Sequence, residues 1–195
     1  AARHEIALTI DDGPDPVGTP QVLEVRGRYG VRATFFVIGA RAERYPELCR
    51  EIARRGHAIE NHSQRHRHNF ALLGLKGITQ ELQAAQETLT ALTGQRPRFF
   101  RAPAGFRNPF LDPVLTRLSL QLVSWSVRGF DTRVSNADKV TNTLVAGLRP
   151  GAILLLHDGN AARTRAGTPV ILEVLPALLN AAVANNLRFV TLQQV

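Results

Sequence analysis

The stretch LTIDDGPDP, residues 8–16, is the most informative part of the sequence for the fold and the site. An apolar, strand-forming run ends in two adjacent carboxylates, Asp11 and Asp12, and breaks at once at Gly13 and Pro14. Neighbouring like charges repel each other, so a strand end gains no stability from carrying both. We infer that the pair either forms a solvated turn or faces a positively charged group.

Outward from this run, strand-like segments alternate with segments of helical periodicity along the chain. The predicted strands are 6–10, 34–38, 58–61, 98–101, 121–125, 152–156 and 188–192. The predicted helices are 20–29, 46–55, 79–92, 109–118, 137–148 and 169–185. Such alternation indicates an α/β protein with a parallel sheet and right-handed connections, with enough units to curl into a barrel.

Composition fits one soluble globular domain over residues 1–195. The chain is 44% hydrophobic and 21% charged, and no apolar run is long enough to span a membrane. It begins at Ala1 rather than at Met, as processed or truncated chains do, so a missing signal peptide or anchor carries no conclusion. A single cysteine, Cys49, excludes an internal disulfide and is interpreted as a buried thiol.

The net charge of +8 comes almost entirely from arginines scattered along the sequence. Nucleic-acid binding proteins concentrate such charge in a basic stripe or arm, which this chain lacks. We therefore expect no nucleic-acid partner. Attraction to an anionic polymer, such as an envelope polysaccharide, remains as a second interpretation of the charge.

Ionisable residues follow five of the seven predicted strands. They are Asp11 and Asp12 after the first strand, His62 and His66 after the third, Arg101 after the fourth, Asp131 after the fifth, and His157 with Asp158 after the sixth. In an α/β barrel these strand ends converge on one face, where active sites are built. The sequence thus predicts one polar site at the mouth of a barrel.

His62 and His66 are four residues apart, a spacing that lets two imidazoles reach one ion from a helix or a tight loop. The pair alone is a weak signal, because such histidines also occur as surface polar residues. A carboxylate from Asp11 or Asp12 supplies a third ligand. Two histidines and one carboxylate suit catalytic zinc or a similar divalent ion, and the second aspartate is then free to act as a base.

Five motifs occur in the order found in polysaccharide deacetylases, the NodB-homology domains of carbohydrate esterase family four. They are TIDDGP (9–14), HSQRH (62–66), RAPAG (101–105), SWSVRGFDT (124–132) and LLLHD (154–158). The chain resembles this family over essentially its whole length. The resemblance implies a distorted (β/α)7 barrel in a single NodB-homology domain, which agrees with the strand count above.

The resemblance also implies a metal site. Asp12, His62 and His66 match the family's three metal ligands, and one divalent ion is expected, zinc first, with cobalt, nickel or manganese as alternatives. Asp11 matches the general base, and Arg101 matches the arginine that pairs with this base.

The same resemblance also implies which residues protonate the leaving group. His157 matches the general acid that protonates the departing amine, and Asp131 matches the carboxylate that orients it. Leu155 matches a leucine that lines the pocket for the acetyl methyl group, although a buried strand residue would look the same.

Two positions depart from the family pattern. Ala104 stands where the family usually has tyrosine, so its backbone N–H can still contribute to an oxyanion hole while an aromatic wall is lost. Thr132 stands where the family usually has tryptophan, and whether Trp125 fills that gap is left open. Both changes concern the choice of glycan rather than the metal site.

The implied activity is removal of N-acetyl groups from N-acetylhexosamine residues of an acetylated glycan, of chitooligosaccharide or peptidoglycan type. The alternatives are O-deacetylation, as in acetylxylan esterases, hydrolysis of a small cyclic amide, and a non-catalytic glycan-binding module on the same barrel. The resemblance implies a location at the cell envelope, in the periplasm or outside the cell. The oligomeric state is left open.

Overall fold

The computed structural model describes residues 4–194, so residues 1–3 and Val195 of the expected domain lie outside it. One parallel sheet contains all the strands of the described part. The strands are β1 (Glu5–Gly13), β2 (Thr34–Val37), β3 (Ala58–Asn61), β4 (Phe99–Phe100), β5 (Gln121–Leu122), β6 (Val127–Arg128), β7 (Ile153–His157) and β8 (Arg188–Val190). The helices are α1 (Gly18–Tyr29), α2 (Gly39–Arg44), α3 (Pro46–Arg54), α4 (Leu75–Thr93), α5 (Leu111–Leu118), α6 (Ala137–Ala146) and α7 (Val170–Ala184). Within residues 4–194, none of these helices has the length and apolarity needed to cross a bilayer.

The sheet curls almost into a closed barrel. Its strand order is β5-β4-β3-β2-β1-β7-β6, and β8 pairs with the first residues of β1. In a flat sheet the two outermost strands would be roughly 29 Å apart, at about 4.8 Å per neighbour. The chain from Leu122 to Val127 reaches at most about 18 Å. The two ends must therefore curve towards each other, and they leave an unpaired seam between β5 and β6.

The structure confirms the α/β barrel and changes two elements. The predicted strand 121–125 pairs only at its start, because the carbonyls of Val123 and Ser124 accept hydrogen bonds from Arg101 instead, at 3.3 and 2.9 Å. A separate short strand, β6, follows. Helix α2 was not predicted, since it has only six residues and follows directly on the second strand.

Alternation along β1 separates the outer core from the barrel interior. Ile6, Leu8 and Ile10 are buried in the large cluster that also contains the apolar side chains of α1, α6 and α7. The intervening residues, among them Thr9 and Asp11, face inward, where both accept hydrogen bonds from the buried guanidinium of Arg101. The central strand thus packs the helices with one face and builds the interior with the other.

Glu60 is a fully buried carboxylate inside the barrel. Its Oε2 accepts hydrogen bonds from the backbone N–H groups of Arg98 and Phe99 at 2.8 and 2.7 Å, and its Oε1 accepts one from Gln193 Nε2 at 2.7 Å. Burial raises the pKa of Glu60 to about 6, although these hydrogen bonds oppose the shift. Through these hydrogen bonds, Glu60 of β3 holds the start of β4 and the end of the described chain in place.

Candidate active site

A β-bulge in β1 places two sequence neighbours on the same side of the sheet. The pairing register with β2 shifts between Asp11 and Gly13, and Asp12 has a left-handed backbone with φ of 73°. In a regular strand Asp11 and Asp12 would point to opposite faces. The extra residue turns both carboxylates towards His62, whose Nε2 lies 3.8 Å from Asp11 Oδ2 and 3.4 Å from Asp12 Oδ1.

Asp12, His62 and His66 converge as predicted, each offering one ligand atom within 4.8 Å of the others. His66 Nε2 lies 3.3 Å from Asp12 Oδ1. The histidines sit on a tight loop rather than a helix, with His66 at φ of 47° and its N–H donating to Ser63 Oγ at 3.0 Å. His62 Nδ1 lies 2.8 Å from the carbonyl of Arg101, which fixes this nitrogen as the donor and leaves Nε2 directed at Asp12.

The residues present fit a divalent cation. Asp12 Oδ1 is buried and has no hydrogen-bond partner, although it faces the two imidazoles. Burial disfavours a charged His62, but the carboxylates of Asp11 and Asp12 outweigh this and raise its pKa above the ordinary value. Burial and the charge of His62 lower the pKa of His66, which favours its neutral form. A site that draws positive charge and offers one carboxylate oxygen with two imidazole nitrogens suits zinc and similar ions.

Sequence reasoning missed two residues that hold Asp12 in place. Asn160 Nδ2 donates to Asp12 Oδ2 at 2.8 Å, which leaves Oδ1 for the imidazoles. Arg41 Nη1, on α2, donates to the backbone carbonyl of Asp12 at 2.7 Å. Asn160 follows the LLLHD motif by two residues, so the strand-end rule could have found it. Arg41 gave no signal, because the helix that carries it was not predicted.

Asp11 is paired with Arg101, as the resemblance implied. The carboxylate Oδ1 accepts a hydrogen bond from Arg101 Nη1 at 2.7 Å, and both side chains are buried. The guanidinium is fixed from several sides, with Cζ 4.1 Å from the centre of the Phe36 ring. A buried, charge-assisted pair of this kind holds the Asp11 carboxylate in one orientation.

His157 and Asp131 form a second pair, with His157 on β7 directly beside Asp11 of β1 in the parallel register. His157 Nδ1 lies 2.9 Å from Asp131 Oδ1, and the backbone N–H of His157 donates to Asp131 Oδ2 at 2.7 Å. Burial disfavours the charged imidazole, but the hydrogen bond with Asp131 and the nearby carboxylates raise the pKa of His157 to about 9. His157 is thus protonated at neutral pH and has a proton to donate.

Asp158, the next residue, forms its side-chain hydrogen bond with α1 rather than with the candidate metal ligands. Its Oδ2 accepts a hydrogen bond from Thr19 Oγ1 at 2.5 Å, and burial raises its pKa to about 7. Gly13 is required beside it, because a Cβ at this position would lie 2.7 Å from Asp158 Oδ2. This carboxyl therefore joins the bulge to α1.

The predicted substrate residues lie at and below the rim. Ala104 is exposed and left-handed, with φ of 54°, on the loop after β4. The Trp125 ring covers the adjacent Gly105 so closely that a Cβ there would lie 2.8 Å from Trp125 Cη2. Trp125 thus lies beside the position where the family's tyrosine is missing, and it borders a cavity of about 170 Å³ with Arg101. Leu155 is buried on β7, paired with Thr9.

Comparisons with known proteins agree with this architecture. The profile of the polysaccharide deacetylase family matches residues 1–123. A peptidoglycan-N-acetylglucosamine deacetylase of Bacillus cereus is 33% identical over 97% of this chain and 67% of its own length. A chitooligosaccharide deacetylase of Sinorhizobium fredii is 39% identical over 79% of this chain and 72% of its own length.

A solved structure shows that the similarity includes the three-dimensional fold. The crystal structure of a peptidoglycan N-acetylglucosamine deacetylase superimposes with a TM-score of 0.89 at 31% identity, covering 98% of this chain and 87% of that one. The profile, the relatives and the shared barrel together show that this chain belongs to the polysaccharide deacetylase family, the NodB-homology proteins of carbohydrate esterase family four.

Proposed function

We propose that this protein is a metal-dependent hydrolase that removes N-acetyl groups from N-acetylhexosamine residues of a glycan. The observation that carries the proposal is that three groups with different chemistry share the mouth of the barrel. They are a candidate metal triad, a fixed carboxylate (Asp11 with Arg101) and a cationic imidazole (His157 with Asp131). The relatives named as peptidoglycan and chitooligosaccharide deacetylases support this choice of bond and substrate.

Asp12, His62 and His66 would hold the ion, with zinc as the first choice and cobalt, nickel or manganese as alternatives. When bound, a divalent ion in such a site supplies Lewis-acid polarisation of a carbonyl oxygen and acidifies water. The buried Asp12 Oδ1 and the fixed Nε2 of His62 are the atoms best prepared for this role.

Asp11 is the proposed general base. Its carboxylate is oriented by Arg101, and it accepts a proton from the water whose oxygen attacks the acetyl carbonyl carbon. The N–H of Ala104 on the rim loop is the proposed donor to the oxyanion that forms. Because this loop is left-handed at Ala104, the backbone is held in a conformation that a relaxed chain would rarely adopt.

His157 is the proposed general acid. Cleavage of the carbon–nitrogen bond leaves an amine that must gain a proton, and the cationic imidazole of His157 donates it. Asp131 orients the ring and stabilises its charge. The products are acetate and a free amino sugar, so the proton taken by Asp11 and the proton given by His157 balance over one turnover.

Product analysis tests the proposal directly. Acetate and free amine are measured after incubation with chitooligosaccharides, peptidoglycan and acetylxylan, for protein that has been demetallated and for the same protein reloaded with zinc. We expect both products from an N-acetyl glycan, and only with metal. Acetate without amine, from acetylxylan alone, would indicate O-deacetylation. Full activity without metal would overturn the mechanism. Glycan binding with no product would indicate a non-catalytic module.

A further inference from the structure

Arg128 stands at the mouth of the barrel and takes no part in the mechanism above. It lies on β6, directly beside Leu155 of β7 in the parallel register. Its neighbour Val127 packs into the outer core, so the side chain of Arg128 is on the inner side of the sheet. His157 is two residues further along β7, which places the two backbones about 8 Å apart, from ~3.3 Å per residue along and ~4.8 Å across the strands.

Two aromatic rings hold the guanidinium of Arg128 in place. Its Cζ lies 5.5 Å from the centre of the Trp125 ring and 5.0 Å from that of the Phe130 ring. Phe130 is half exposed and has a left-handed backbone with φ of 58°, which turns Asp131 into the site on the next residue. The arginine is therefore fixed between two ring faces beside the general acid, rather than free in solvent.

The positive charge of Arg128 has no anionic partner in the described residues. The acidic groups of the site have other partners. Asp11 pairs with Arg101, and Asp131 pairs with His157. No ion pair of residues 4–194 includes Arg128. Its Nε is buried without a hydrogen-bond partner. An unpaired, partly desolvated guanidinium costs free energy unless something else satisfies it.

We propose that Arg128 binds a carboxylate of the substrate, so that the preferred glycan is acidic at the deacetylated sugar or at the one beside it. This inference rests on the proposed function and narrows its substrate class. A guanidinium presents its donors as a planar fork that matches the two oxygens of a carboxylate. The exposed face of Phe130 offers a surface for the sugar that carries the acid. A neutral chitooligosaccharide would leave the guanidinium without an anionic partner.

The experiment compares two disaccharides that differ at one group, which is a charged carboxylate in one and a neutral amide in the other. One is N-acetylglucosamine linked to N-acetylmuramic acid with a free lactyl carboxylate, and the other is its methyl amide. The quantity measured is the ratio of kcat/KM for the acid to kcat/KM for the amide. We expect the intact protein to favour the acid, and Arg128→Gln to lower the ratio by about 10- to 100-fold, chiefly through KM. Arg128→Lys should fall between them, because it keeps the charge and loses the fork.

Arg149→Gln is the matched control, because it removes the same charge from an exposed residue just before β7, away from the mouth. It should change the ratio by less than about twofold, the size expected for a distant, screened charge. Thermal unfolding of each variant checks that the barrel is intact. An equal ratio in the intact protein and Arg128→Gln would overturn the inference, and so would equal losses in Arg128→Gln and Arg149→Gln.

Calorimetric binding of both disaccharides separates this inference from the proposed function. Acid-selective binding that depends on Arg128, without any release of acetate, would overturn the deacetylase proposal and leave the carboxylate site standing. Release of acetate at equal rates from both disaccharides, with equal binding, would overturn the carboxylate site and leave the deacetylase proposal standing.

Discussion

The carboxylates of Asp11 and Asp12, although adjacent in sequence, have separate partners. Asp11 Oδ1 accepts a hydrogen bond from Arg101 at 2.7 Å, whereas Asp12 Oδ2 accepts one from Asn160 at 2.8 Å and Oδ1 faces the two imidazoles. The bulge in β1 makes this possible by turning both side chains into the mouth. Replacing one residue should therefore leave the other's contacts in place.

Asp12→Ala and Asp11→Asn should fail in different ways. Loss of Asp12 removes one of three candidate ligands, so metal content after dialysis should fall sharply. Asp11→Asn keeps the shape beside Arg101 and should retain the metal, while turnover falls ~10²–10⁴-fold, the usual range for a positioned base. Metal analysis and acetate release on both purified variants check this. Equal metal loss in the two variants would contradict the division of roles.

His157→Ala should give a folded, metal-loaded protein that is slow on amides, again by ~10²–10⁴-fold. A substrate with a good alcohol leaving group needs less protonation, so an activated O-acetyl ester should recover much of the lost rate. The rates of both substrates are measured for the variant and the unaltered protein. An equal loss on amide and ester would mean that His157 does not protonate the leaving group.

Asn160→Ala should weaken metal binding by about 10- to 100-fold, because outer hydrogen bonds orient a ligand's lone pairs. The variant loses the donor at Asp12 Oδ2 and leaves every candidate ligand in place. A competition titration with a chelator gives the affinity. Asn142→Ala, on the exposed face of α6, is the control and should behave as the unaltered protein. Unchanged affinity in Asn160→Ala would exclude this orienting role.

Glu60 should make the fold less stable as pH rises through the acidic range. Its pKa in the fold is about 6, above the ordinary 4.5, so the folded state holds this proton more tightly than the unfolded state does. The contribution of Glu60 to the free energy of unfolding is therefore largest below about pH 4.5 and is lost as pH rises through 6, by roughly 2 kcal/mol in total.

Glu60→Gln removes the titrating group and keeps an acceptor for the N–H groups of Arg98 and Phe99. Urea unfolding of both proteins across this pH range gives the difference in the free energy of unfolding at each pH. The free energy of unfolding should fall more steeply with pH for the unaltered protein than for Glu60→Gln, because Asp158, whose pKa is also raised, contributes equally to both curves. Parallel curves for the two proteins would show that Glu60 does not carry the proton.

The sequence predicted the barrel because its period and its strand-end residues are local signals. Asp11, His62, Arg101 and His157 were all found by looking just past strands. The bulge at Asp12 could not be predicted in this way, since it depends on how β1 pairs with β2.

The same limit explains the residues that were missed. Arg41 and Asn160 act through contacts with Asp12 that span 29 and 148 positions of sequence. Arg128 lies within the SWSVRGFDT motif, but nothing in the sequence alone singles it out. Its buried Nε has no hydrogen-bond partner, and this can be seen only in the folded structure.

The position of β1 has a consequence for biosynthesis. Within residues 4–194 this strand is synthesised before the others, yet two of its three neighbours, β7 and β8, come from the end of that range. Thr9 Oγ1 donates to the carbonyl of Leu154 across 145 positions of sequence. Such distant pairings form slowly, and a growing chain exposes the unpaired edge until they do. The strand that carries both aspartates therefore gains its last neighbours only when nearly all of residues 4–194 have left the ribosome.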